Sequence, residues 1–488
     1  MRESGILLPI TALPTAYGVG GFSEEAFTFI DRLQEAGQTY WQVLPMGPTG
    51  YGDSPYQSFS TFAGNPYFIS LDKLKEEGLL TEKELKEADC GEKPRYVDYE
   101  KLYNTRFAVL RKAFVRYMAG DTAEMQAFRE ENSEWLEDYA LYKAVKSEQG
   151  ETCWLDWPEE LRNRDGKALE EKRETLAEEM DFTVFQQYLF RKQWTELKAY
   201  ANSRGIRIIG DIPIYVAMDS ADAWGAPELF QFDEEGQPKA VAGCPPDAFS
   251  ADGQLWGNPL YNWDYHKSTG YAWWTRRMEL CGKLYDSVRV DHFRGFAGYY
   301  SIPYGAPNAM NGHWEKGPGM DLFRHLTEKL GACDLIAEDL GLLTDDVREL
   351  VRDTGFPNMK VLQFAFDSGA SNEYLPHQYE KNHVVYTGTH DNETTEGWLK
   401  NISASTMEYL KAYLHVEKPC SWDLIRLAMA STADRCIIPM QDYLGLDNNA
   451  RMNFPSTLGF NWQWRMLDGE FTKELAARIA ELTKIYNR

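Results

Sequence analysis

Three acidic residues in this sequence each follow a short apolar run. Ser287-Val288-Arg289-Val290 leads into Asp291-His292, Asp334-Leu335-Ile336-Ala337 into Glu338-Asp339, and His383-Val384-Val385-Tyr386-Thr387 towards His390-Asp391. Arg289 lies two residues before Asp291, so on a strand both side chains point to one face. A guanidinium there holds the carboxylate ionised, which a nucleophile at an acetal centre requires. The same spacing also suits a purely structural Arg–Asp pair. Glu338 has Asp339 beside it, and two acids in a partly dry site push one towards neutrality, as a general acid requires. The alternative is that Asp339 caps a helix and Glu338 is merely exposed. His390 and Asp391 suit hydroxyl groups of a sugar, or equally a polar turn with Asx-type bonds. No one of these is decisive alone. Together, and with Asp211 after a further apolar run, they point to acid–base chemistry at an acetal or phosphate centre. Tyr51, Tyr56, Phe249, Trp256 and Trp263 offer ring faces to apolar sugar faces, although core packing is the ordinary use of such residues.

These acids need elements that bring strand ends together. Short β-branched runs of this kind read as buried strands of a parallel sheet. Candidates are Gly5 to Ile10, Tyr40 to Leu44, Ile206 to Ile209, Ser287 to Val290, Cys333 to Ala337, Met359 to Phe364, His383 to Thr387 and Cys436 to Met440. Eight strands separated by helical segments predict an α/β fold, a (β/α)₈ TIM barrel whose active site sits at the strand C-terminal ends. Glu24 to Ala36 is a predicted helix ending at Gly37. The long loop from Pro45 to Pro66 is rich in Gly, Pro, Ser and aromatics, a length that marks a functional segment. Acid- and lysine-rich helical patterns fill about 71–203, a predicted helical insertion, and about 219–271 is a predicted irregular active-site loop insertion. The whole chain, 1–488, is expected to form one catalytic domain.

Composition narrows the partners. Hydrophobic content of 43% and aromatic content of 14% mark an ordered globular chain. With 75 acidic and 51 basic residues the formal charge is −24, which disfavours nucleic acid and anionic membranes as partners. Seven scattered cysteines without CxxC spacing predict a reduced, cytoplasmic setting. No apolar run reaches transmembrane length, and Pro9 and Pro14 interrupt the apolar start, so no leader is expected. HExxH, paired Cys/His zinc spacing, an EF-hand loop, a GK[ST] phosphate loop and a GxSxG elbow are absent from the sequence, so no metal or cofactor is expected.

The motifs together resemble the 4-α-glucanotransferases, or amylomaltases (glycoside hydrolase family 77). The matching stretches run from Arg2 to Arg465. They include GPTGYGDSPYQS at 47–58, AGNPY at 63–67, GDIPIYV at 210–216, GQLWGNPL at 253–260, RVDHFRG at 289–295, AEDLG at 337–341, YTGTHDN at 386–392, PMQDYLG at 439–445 and NWQWR at 461–465. The resemblance implies Asp291 as nucleophile, Glu338 as general acid/base and Asp391 as stabiliser of the transition state. It implies Arg289, His390 and Asp211 around the donor sugar, Phe249, Gln254, Trp256 and Asn461 along the glucan groove, and Tyr51 and Ser54 in a loop touching glucan near or outside the cleft. The implied partners are α-1,4-glucans and the implied reaction is retaining glucan transfer without a cofactor. An α-glucan hydrolase and a non-catalytic glucan-binding protein are the alternatives. Ala248 departs from the pattern, standing where many relatives carry an aromatic beside Phe249, which bears on acceptor binding.

Overall fold

The computed structural model describes residues 2–50, 52–88, 94–246, 251–341 and 343–488. Its strands are β1 (Glu3–Leu7), β2 (Tyr40–Gln42), β3 (Arg207–Pro213), β4 (Ala240–Cys244), β5 (Gln254–Pro259), β6 (Ser287–Asp291), β7 (Gly298–Pro303), β8 (His313–Lys316), β9 (Leu335–Ala337), β10 (Asn358–Val361), β11 (His383–Tyr386) and β12 (Arg435–Pro439). Eight of them close a barrel in the order β1-β12-β11-β10-β9-β6-β3-β2. Every barrel pairing is parallel. All eight predicted barrel strands are present. The run predicted to Phe364 leaves the sheet after Val361 and turns as a 3₁₀ segment over Leu362–Phe364. The barrel strands read as near-continuous apolar runs because they are covered on both faces, as β9 and β12 illustrate with Leu335, Ile336, Ala337, Cys436, Ile437 and Ile438 all buried.

The first helix, Glu24–Glu35, buries Ala26, Phe29, Ile30 and Leu33, spaced to lie on one stripe. It stops where Gly37 takes a left-handed φ of 68°. Between β2 and β3 lie the helices of the insertion, among them Tyr99–Met118, Ser133–Glu148 and Ala177–Ser203. The last of these also covers the barrel. Phe22 packs on its Phe190 and Trp194 at 5.2 and 5.3 Å, and Trp194 donates from its indole nitrogen to the Leu284 carbonyl at 3.0 Å. One hydrophobic cluster runs from Ile6 to Leu482 and takes in insertion residues such as Leu136 and Phe185.

The stretch predicted as irregular, 219–271, contains β4 and β5. They join β7 and β8 in an antiparallel sheet ordered β5-β4-β7-β8. The sequence hid these strands for physical reasons. Gly243, Gly253, Gly257, Pro245 and Pro246 punctuate β4 and β5, and the second partner of β4, the strand β7, lies far along the chain. Among the described residues no helix is long and apolar enough to cross a membrane.

Candidate active site

Barrel register sets the first contact. Asp211 on β3 lies opposite Arg289 on β6. Nη1 of Arg289 donates to both Asp211 carboxylate oxygens at 2.8 Å, and Nη2 donates to Asp291 Oδ1 at 2.9 Å. Arg289 and Asp211 are buried, whereas the Asp291 side chain retains 30% exposure towards the mouth. Burial works against the Arg289 charge, but Asp211 and Asp291 outweigh it and hold the guanidinium well above its ordinary value. Burial pushes the Asp211 carboxyl up and Arg289 opposes it. With Tyr56 also donating its hydroxyl to Asp211 at 2.9 Å, the charged pair is the form that these donors fit. Gly210 is required beside it, because a Cβ there would fall 2.3 Å from the Tyr285 ring.

Glu338, just past the end of β9, is held by two backbone donors. The His292 N–H reaches Oε2 at 2.6 Å and the Leu340 N–H reaches Oε1 at 2.9 Å. His292 takes a left-handed φ of 54°, and its amide is the one that bonds Glu338. Burial first, and then the neighbouring charge of Asp291, raise the Glu338 carboxyl to about 7. The source of this shift differs from the sequence argument, which assigned it to Asp339. Asp339 faces away, accepting from Asn358 Nδ2 at 2.6 Å and the Met359 N–H at 3.2 Å, where it fixes the start of β10. Nor does it cap a helix, since the next one spans Asp345–Thr354 behind Thr344.

Asp391 lies beyond β11. His390 Nε2 stands 3.4 Å from its Oδ2, Asn453 Nδ2 donates to its Oδ1 at 2.6 Å, and Arg451 donates to its backbone carbonyl at 2.7 Å. Burial alone would raise this carboxyl, but His390, Asn453 and Arg289 outweigh it and hold it well below the usual carboxylate range. Burial likewise works against the His390 imidazolium, and Asp391 outweighs it. The polar turn expected as an alternative is also there, with Asn392 Oδ1 accepting from the Thr389 N–H and hydroxyl, both at 2.9 Å. Turn and site therefore coexist. Buried Asp442 braces the segment, accepting from the Thr387 hydroxyl at 2.5 Å and the Thr395 N–H at 2.7 Å.

Three strand ends thus carry three carboxyl groups in three electrostatic settings. Asp291 is clamped by a guanidinium, Glu338 is pushed towards neutrality, and Asp391 is held ionised by a histidine and an amide. A carboxylic acid near pH 7 facing an ion-paired carboxylate is the asymmetry that glycosidic bond cleavage uses. Residues 8–470 match the family model for 4-alpha-glucanotransferase. The chain belongs to the 4-alpha-glucanotransferase family. It is 48% identical over 485 residues to the 4-alpha-glucanotransferase of Clostridium butyricum, covering 98% of this chain and 99% of that one. It is 47% identical to the Thermus thermophilus enzyme, covering 100% and 99%. The solved amylomaltase from Streptococcus agalactiae in complex with acarbose superposes with a TM-score of 0.98 at 41% identity, over 100% of both chains.

Within this 4-alpha-glucanotransferase fold the other predicted residues fall into different places. Trp256 and Gln254 share a face of β5, where the Trp256 indole donates to Gln254 Oε1 at 3.0 Å and meets the His292 ring edge-on at 4.7 Å. Trp256 therefore reaches the site through His292, and Gln254 holds Trp256. Ser54 accepts from the Tyr56 N–H at 3.3 Å and shapes the loop that carries Tyr56. Asn461 spends its amide within its own loop, accepting from the Phe454 N–H at 2.9 Å and donating to the Thr457 carbonyl at 2.9 Å. Trp263 packs into an aromatic core on Tyr261 at 4.9 Å and Trp274 at 6.1 Å, so its ordinary use prevails. Tyr51, Ala248 and Phe249 lie outside the described residues. Residues that were passed over include His292, Asn453 and Trp462. Trp462 lies 5.9 Å from the His390 ring, which in turn stacks on Tyr56 at 5.1 Å. His292 had a signal, since it directly follows Asp291, but its backbone role depends on φ and leaves no trace in residue type.

Proposed function

We propose that this transferase moves α-1,4-glucan segments by a retaining double displacement, with Asp291, Glu338 and Asp391 as its three acids. Asp291 attacks the anomeric carbon of the donor, and the bond from that carbon to the leaving oxygen breaks. Glu338 gives its proton to that oxygen, releasing a glucan with a free 4-OH. The β-glucosyl ester on Asp291 is then attacked by the 4-OH of an acceptor. Glu338, now a carboxylate, takes the hydroxyl proton, and the α-1,4 bond is restored. Asp391 with His390 steadies the charge that develops on the donor sugar, and Asp211 with Arg289 keeps Asp291 aimed. Tyr51, Ser54, Phe249, Gln254, Trp256 and Asn461 are proposed to line the glucan path, and the chain is proposed to act as one catalytic unit in the cytoplasm.

The observation that carries this reading is the pairing of Glu338, raised to about 7 by burial and Asp291, with an Asp291 held by Arg289 at 2.9 Å. Similarity to an amylomaltase solved with acarbose supports an α-glucan as the substrate class. The formal charge of −24 supports a neutral polymer over nucleic acid or an anionic membrane. Incubation with maltotriose tests the reaction. Glucose together with a ladder of longer maltooligosaccharides is expected. Shortened products alone would make it a hydrolase, and no turnover would leave a glucan-binding protein.

A further inference from the structure

The antiparallel sheet over the barrel mouth carries an apolar surface that the catalytic residues do not use. Across it, Leu255, Gly243, Tyr300 and Trp314 stand in register and so lie in one row. Trp314 is 44% exposed and Leu255 42%. Trp314 is nonetheless held in place. The Arg294 guanidinium lies 4.0 Å over its ring, and Tyr300 meets it edge-on at 5.2 Å. Tyr300 is itself anchored, donating its hydroxyl to the Ala309 carbonyl at 3.0 Å. The ring is therefore pre-positioned while much of its surface faces solvent, an arrangement typical of recognition surfaces.

Arg294 connects this ring to the chemistry. It lies three residues beyond Asp291 on the same turn, and the charge of Glu338 acts on its guanidinium. Glu338 is the group that faces the leaving and entering oxygen in the proposed reaction. Trp314 is thus one side chain removed from the turn that follows Asp291, since the Arg294 guanidinium of that turn lies on its ring.

We propose that Trp314, seated on Arg294, is a stacking platform for the acceptor glucan several sugars away from the bond that is made. This rests on Glu338 serving as the acid/base. Such a platform adds affinity only for acceptors long enough to reach it.

The test compares wild type, W314A and W314F with glucose and with maltopentaose as acceptors. W314A should raise the apparent KM for maltopentaose roughly three- to tenfold, as loss of one aromatic stacking contact implies. The apparent KM for glucose and kcat should stay within about twofold, and W314F should recover most of the loss. Migration of the three proteins through a native gel containing amylose gives a second readout that needs no turnover, with W314A expected to be retarded least. If wild type is retarded by amylose more than W314A yet transfers nothing, the catalytic reading fails and the acceptor role with it, and Trp314 is left as a glucan-binding ring. Equal KM for maltopentaose in wild type and W314A would overturn the proposal. So would an equal rise for glucose, which marks a general distortion, or a W314A-dependent change in oligomeric state, which would assign the surface to a second copy of the chain.

Discussion

Asp211 and Arg289 stand in register across two barrel strands, and one nitrogen of Arg289 reaches both oxygens of Asp211 at 2.8 Å. The other terminal nitrogen is thereby left pointing at Asp291. The aim of the nucleophile is set through Arg289 by a residue on a different strand, which itself touches no reacting atom in the proposed mechanism. Asp211→Ala is expected to lower kcat by about 100-fold, since an angstrom of misplacement has that effect. It should also reduce stability by about 3 kcal/mol, because one side of a buried ion pair is removed. Urea unfolding with an unchanged slope measures the second effect and single-turnover kinetics the first.

Glu338 makes the reaction pH-dependent in a definite direction. The first step needs its proton, so kcat/KM should fall as pH rises through about 7. Linkage runs the same way. A carboxyl raised above its ordinary value of 4.5 contributes stability below that value and loses it as pH rises through about 7. Glu338→Gln removes the buried charge. It should abolish transfer yet be more stable than wild type at pH 8 by about 1 kcal/mol, with the gain gone at pH 5. Thermal unfolding at the two pH values decides this.

His292 is used through its backbone. Asn adopts the left-handed region readily and a β-branched residue does not. His292→Asn should therefore keep the N–H bond to Glu338, whereas His292→Val should lose it. The valine variant is expected to show kcat lowered by roughly 10- to 100-fold and an alkaline limb of kcat/KM moved to higher pH, since a donor to the carboxylate is gone. A valine variant with the wild-type pH profile would refute this role.

Asn453 assists His390 in holding Asp391 in its ionised form. Asp391 lies below its ordinary value of 3.8, so it contributes stability above that pH and loses it as pH falls. Asn453→Ala should cost about 1.5–3 kcal/mol at pH 7, the range for a hydrogen bond to a charged group. The acid limb of activity should move upward in pH. A pH–activity series below pH 6 reads it.

What could be read in advance divides by the range of the interaction responsible. The barrel strands were legible because burial on both faces makes each one a local apolar run, as at Val384-Val385-Tyr386. Asp291 and Glu338 were legible because each ends or directly follows such a run, and Asp391 because it stands in the turn a few residues beyond one. The sheet formed by β4, β5, β7 and β8 was not, since its strands are short, β4 and β5 are broken by glycine and proline, and the central β4–β7 pairing spans a long separation. Neither was the origin of the Glu338 shift. Asp339 is adjacent in sequence but points to Asn358, while Asp291 is distant in sequence and near in space. Asn453 and Trp462 reach the site from a late loop, and nothing in their types or spacing announces it.

The seam of the barrel joins Glu3 on β1 to Arg435 on β12. During synthesis the first strand therefore has an unfilled edge until nearly the whole chain has been made. At the usual rate of about 5–20 residues per second, that interval is on the order of half a minute. All three acids will have been polymerised before the ring that brings them together can shut. A nascent chain stalled short of β12 would carry every reactive group and no active site, with an open strand edge inviting wrong partners. The strand that closes the ring is thus made after the acids it brings together, and the loop that carries Asn453 and Trp462 to Asp391 and His390 is made later still.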